Sequence, residues 1–130
     1  MGGIAGGGSA VEPYIVVRDT WTDVLKEKLP GGGTSSIDMI ESSTAKTLKE
    51  YMANNVENHY GSNMFPGLKV CAKSGTAEVG GDKKPNAWFT GFLDDDSHPY
   101  AFVVMVENGG YGTSVAGTIA NKVLQELMLY

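Results

Sequence analysis

Cysteine is almost missing from this 130-residue chain. Cys71 is the only one, so no disulfide can close within it. The two histidines, His59 and His98, stand at no ligand spacing from Cys71 or from each other, which leaves no metal site legible. Basic charge is scarce as well. Ten lysines and arginines face 15 acidic residues, the net charge is −5, and Lys83-Lys84 is the one basic pair. Phosphate binding needs basic patches, so this balance argues against a nucleic-acid partner. Long apolar runs are also lacking. The longest, Ala101 to Val106, has strand length and falls far short of the ~20 residues of a membrane-spanning helix. No signal peptide is visible, and Gly6 stands where a myristoylation motif requires Ser or Thr.

What is present suits one domain, 1-130, with an apolar fraction of 42% that allows a real core. The opening MGGIAGGGSA carries little that packs and reads as a flexible lead, a linker or the cut end of a larger element. Val11 to Arg18 is strand-like, and Pro30 to Gly33 breaks the chain. Asp19, Trp21 and Asp23 lie in a stretch, 19-41, whose role the pattern does not fix. Ser42 is a suitable N-cap for a helix to about Asn58, whose apolar face would be Leu48, Tyr51, Met52 and Val56. Strands are expected over Leu68–Thr76, Ala87–Leu93 and Tyr100–Glu107, joined by connections short enough for antiparallel hairpins. A last helix begins near Thr113 or Ser114, with Val115, Ile119, Val123, Leu124 and Leu127 as its stripe. The fold class is therefore α+β: an antiparallel sheet flanked by helices.

The stretch with the most chemistry is Lys73-Ser74-Gly75-Thr76. Lys73 offers fixed positive charge. Ser74 and Thr76 offer hydroxyls for a carboxylate oxygen. Gly75 removes a side chain, so a ligand backbone can lie close. The Thr76 N–H can meet a developing oxyanion. The set suits an extended peptide that ends in a carboxylate and docks as an added strand. The plainer reading is a strand that merely ends in Ser and Gly. Trp88, Cys71 and Asp94-Asp95-Asp96 read as packing, an inert core thiol and a solvated hairpin tip.

The surroundings decide between these readings. KSGTAE, NAWFTGF, AFVVMVENGG, SSTAKTLKEYM and IAGGGSAVEPYIV together resemble the C-terminal part of the transpeptidase domain of class B penicillin-binding proteins, over nearly the whole chain. The resemblance implies a serine D,D-transpeptidase that needs no cofactor. Its serine attacks the D-Ala-D-Ala end of a peptidoglycan stem peptide, and the acyl-enzyme passes to an amine on a neighbouring strand. β-Lactams mimic the substrate and trap the serine. Carried over, Lys73 supplies positive potential, Ser74 and Thr76 bind the substrate carboxylate, Gly75 gives clearance, and the Thr76 N–H is half of the oxyanion hole. The parent is expected to be membrane-anchored, to act outside the cytoplasmic membrane and to work with other cell-wall synthesis proteins.

The nucleophile is the difficulty. Ser43-Thr44-Ala45-Lys46 fits S-x-x-K, but it stands too close before Lys73, on the helix assigned to the segment just ahead of the motif strand. No S-x-N or Y-x-N occurs. The catalytic serine is therefore expected outside this chain, and the chain alone is expected to be inactive. Missing neighbours should also leave apolar surface and an open sheet edge, so copies should associate. Two other readings stay open: a non-catalytic module of the same fold that binds wall peptides or a protein, and a β-lactam sensor or β-lactamase.

Overall fold

A computed structural model describes residues 1–11, 36–61 and 63–129. The strand-like run beyond Val11, the Pro30–Gly33 breaker and Asp19, Trp21 and Asp23 lie outside the described residues.

One helical turn, α1 (Gly2–Ala5), leads into β1 (Ser9–Val11), which pairs antiparallel with β2 (Ser36–Asp38) in the register Ala10↔Ile37. Helix α2 (Ser42–Asn54) follows and widens into a π-helical turn, Asn55–Gly61. Glu41, not Ser42, is its N-cap, and no side chain caps it. The expected apolar face is only half right. Ala45, Met52 and Val56 are buried, whereas Leu48 and Tyr51 face out. Ala45 is the small residue on which the helix seats closely, and hydrophobic periodicity alone gives it little weight.

Three strands then form one antiparallel sheet in the order β3 (Val70–Ala77), β4 (Asn86–Leu93), β5 (Ala101–Val106). The registers are continuous, with Ser74 opposite Phe89 and Phe89 opposite Val104. Residues opposite one another share a face. One face therefore carries Val70, Ala72, Ala87, Phe89, Leu93, Phe102, Val104 and Val106, and it holds the main core with Val56, Phe65 and the last helix. The other face carries Cys71 and Phe92, which Met52 and Ile4 cover, and beyond them Lys73, Trp88, Val103 and Met105.

The chain ends in a second π-helical turn, Thr113–Gly117, and helix α3 (Thr118–Leu127). This helix turns its small side to the sheet. Ala116, Gly117, Ala120 and Leu124 are buried, while Ile119, Val123 and Leu127 of the expected stripe are exposed. The reason is steric. A Cβ on Gly117 would stand 3.2 Å from Phe89 and collide with the Met64 methyl, so only a small residue allows the helix this close.

Candidate functional site

The hydrogen-bond phase of the sheet fixes which backbone groups face outward. The Leu93 N–H donates to the Tyr100 carbonyl, and the Asp94 N–H donates to the Lys69 carbonyl. In an antiparallel ladder the bonded pairs alternate. Cys71, Lys73, Gly75 and Ala77 therefore bond to β4, and Val70, Ala72, Ser74 and Thr76 point their N–H and C=O groups off the free edge of β3. By the same count Ala101, Val103 and Met105 point off the free edge of β5.

The sequence motif thus straddles an open edge. Lys73 and Gly75 lie on one face of β3, and Ser74 and Thr76 on the other. Lys73 is exposed and its Nζ donates to the Ser74 carbonyl at 2.7 Å. Ser74 is half-buried, and its N–H donates to the Tyr60 hydroxyl at 2.9 Å. Thr76 is exposed, and its Oγ1 accepts the Gly112 N–H at 3.4 Å. No described residue takes the Thr76 N–H, which points outward at the open end of the edge.

Gly75 faces Trp88, where an added Cβ would lie 3.2 Å from the Trp88 Cβ. Trp88 itself is 38% exposed on the face away from the main core. Core or partly buried packing was the expectation for it, and the structure leaves it partly covered beside the motif, opposite Gly75. Gly112 presses on the opposite face. A Cβ there would collide with the carbonyl oxygens of Gly75 and Trp88. Three residues at this edge escape a motif search: Asn55, Tyr60 and Gly112. Asn55 and Tyr60 bond to backbone atoms, and only the Asn-Gly-Gly-Tyr-Gly break hints that residue 112 must be a glycine.

Cys71, two residues before Lys73, is buried between Met52 and Phe92, and burial pushes its thiol up to about 11. It is an inert core thiol at neutral pH. Two of the three carboxylates of Asp94–Asp96 are paired. Lys49 pairs with Asp94 at 2.5 Å, and this bond raises the lysine above its usual value. His98 bonds Asp95 at 2.8 Å and holds that carboxyl below its usual range. Among the described residues no group of three or more His, Cys, Asp or Glu is gathered as for a metal ion. No described helix is long and apolar enough to cross a membrane.

Ser43 is far from this edge. Lys49 fixes α2 against Asp94, beside the start of β3, and Ser43 lies about 9 Å further along the helix, away from Thr76. Thr76 lies ~20 Å along β3 in the other direction.

Comparison with known proteins identifies the family. Residues 1–125 match the family model described as the penicillin binding protein transpeptidase domain. The peptidoglycan D,D-transpeptidase PbpA of Mycobacterium tuberculosis is 29% identical over 117 residues, which is 88% of this chain and 24% of that protein. PbpA of Mycolicibacterium smegmatis is 30% identical over 128 residues, with the same coverage of 88% and 24%. The chain thus spans about a quarter of the length of the curated relatives it matches. Among solved structures, penicillin-binding protein A from M. tuberculosis, in an imipenem acyl-enzyme complex, is 26% identical at a TM-score of 0.70, covering 97% of this chain and 28% of that one. The D,D-transpeptidase domain of a peptidoglycan glycosyltransferase from Eggerthella lenta, 23% identical at a TM-score of 0.74, shares the fold over 97% of this chain and 29% of its own. The α+β sheet with its flanking helices thus matches part of a larger domain architecture in the solved structures, and this chain belongs to the penicillin-binding protein transpeptidase family.

Proposed function

We propose that this chain is the substrate-strand portion of a peptidoglycan D,D-transpeptidase whose serine nucleophile lies outside it. The supporting observation is the outward Thr76 N–H at an edge flanked by the Ser74 and Thr76 hydroxyls on one face and by Lys73 on the other. A stem peptide laid along this edge extends the sheet. The two hydroxyls then hold its terminal carboxylate, and Lys73 supplies positive potential that favours both the carboxylate and the developing negative charge. The Thr76 N–H donates to the carbonyl oxygen as the absent serine attacks, and Gly75 leaves room for the approach. β-Lactams occupy the same edge and are trapped as acyl-enzymes, as imipenem is in the M. tuberculosis relative. The longer parent polypeptide acts outside the cytoplasmic membrane, where it is anchored among other cell-wall synthesis proteins, and the isolated chain is inactive.

A fluorescent penicillin tests this directly. The longer polypeptide is expected to carry a covalent label on a serine outside residues 1–130, and the 130-residue chain none. A label on this chain that disappears in Ser43→Ala overturns the proposal.

A further inference from the structure

The π-helical turn Asn55–Gly61 sends two side chains to the open edge of β3. Asn55 Nδ2 donates to the Ala72 carbonyl at 3.4 Å, and the Tyr60 hydroxyl accepts the Ser74 N–H at 2.9 Å. Both backbone groups are outward ones, so each is a place where an added strand would otherwise bond. The helical geometry explains the pairing. In an α-helix, residues five apart point about 140° away from each other. A turn closed by i→i+5 bonds brings them to one side. Outward groups on a strand recur every two residues, roughly 7 Å apart. The widened turn therefore matches the step from Ala72 to Ser74. The Tyr60 ring is anchored too. It meets Phe89 edge-on with centroids 5.4 Å apart, and Phe89 is the ladder partner of Ser74.

We infer that Asn55 and Tyr60 form a clamp that seals the β3 edge as far as Ser74 and so sets the register in which a peptide strand adds, with Thr76 as its first backbone donor. Both are positioning residues, and the inference rests on the transpeptidase reading proposed above. Loss of the tyrosine hydroxyl frees the Ser74 N–H. A two-residue slip keeps every peptide side chain on its own face, so nothing in the pleat forbids it. The slipped peptide binds, but its carbonyl meets Ser74 instead of Thr76 and is out of reach of the attacking serine.

The test uses Tyr60→Phe, which keeps the ring on Phe89, with Asn55→Ala as a second variant. In the 130-residue chain, amide hydrogen exchange at Ser74 is expected to rise at least tenfold in Tyr60→Phe, with Phe89 and Val104 unchanged. Unchanged exchange at Ser74 overturns the clamp, whatever the protein does. In the longer polypeptide, the acylation rate constant for penicillin G is expected to fall about tenfold while non-covalent affinity stays the same or tightens. Asn55→Ala is expected to show a smaller split of the same sign. Equal losses in affinity and acylation that follow the melting temperature indicate plain destabilisation and overturn the register role. A wild-type polypeptide that never acylates overturns the transpeptidase reading and the register role with it, while the Ser74 exchange result still decides whether the clamp exists.

Discussion

On the outer edge of β3, side chains of the π-helical turn take the Ala72 carbonyl and the Ser74 N–H, and the Thr76 N–H has no described partner. On the outer edge of β5, the backbone groups of Ala101, Val103 and Met105 face outward, and no described side chain meets them. Strand β5 also has no charge, no proline and no break in its register, and Val103 is 63% exposed. Those are the devices that keep an edge from pairing with another strand, and β5 lacks all of them. One edge is partly covered by side chains of the described residues. The other has no partner along its length among the described residues.

The sharpest challenge to this contrast is Phe89→Ala. The ring packs against Tyr60, Phe65 and Phe102, so it supports both edges at once. The expected loss is about 3–5 kcal/mol in urea unfolding. A loss below ~1 kcal/mol means that the edges are held independently of this ring. Gly112→Val strikes the β3–β4 pairing and spares β5, because its side chain collides with the carbonyl oxygens of Gly75 and Trp88. It is expected to cost about 1–3 kcal/mol and to speed amide exchange at Gly75 more than at Val104. Equal acceleration at both positions shows a general loosening instead.

Val103→Lys addresses the β5 edge. Copies of the wild-type chain are expected to associate, and the charge should weaken that association about tenfold in light scattering while stability moves by no more than ~0.5 kcal/mol. A wild-type chain that stays monomeric at high concentration shows that the β5 edge is covered after all. Cys71 gives a smaller signal from the protected side of the sheet. Its folded pKa, near 11, lies above the ordinary 9.0, so the thiol's contribution is complete below about pH 9 and fades as pH rises through 11. Iodoacetamide should therefore label Cys71 slowly at neutral pH and rapidly in urea, and fast labelling of the folded chain contradicts its burial. The smallest effect is at the β4–β5 hairpin. Asp95 is exposed and held low by its bond to His98, so its contribution is present above the usual carboxylate range and is lost as pH falls through the lowered value. His98→Ala should move the Asp95 titration upward in an NMR experiment and leave unfolding unchanged.

The three strands were legible because each pairs apolar alternation with a sharp break, and their ends fall within two residues of the expected ones. The motif strand was legible because lysine, hydroxyl and glycine stand in immediate succession. The helix faces were not. Periodicity favours large residues, and this fold seats its helices on Ala45, Ala116, Gly117 and Ala120, where small size lets the helix approach the sheet. Leu48, Ile119 and Val123 match the period and still point outward. The clamp was hidden for a different reason. Asn55 and Tyr60 are five residues apart, a spacing that puts them on different sides of any α-helix, and their partners are backbone atoms that carry no residue identity.

That spacing has a consequence for how this segment tolerates change over time. A π-helical turn is an α-helix with one residue too many. Inserting a residue between Asn55 and Tyr60 would set them six apart and, at ordinary winding, turn the tyrosine about 120° from the asparagine, whereas a deletion that restores ordinary winding leaves them four apart on one face. Substitutions at exposed Glu57, Asn58 or His59 leave the geometry alone. This segment therefore tolerates shortening better than lengthening, and a scan of one-residue insertions and deletions should show that asymmetry.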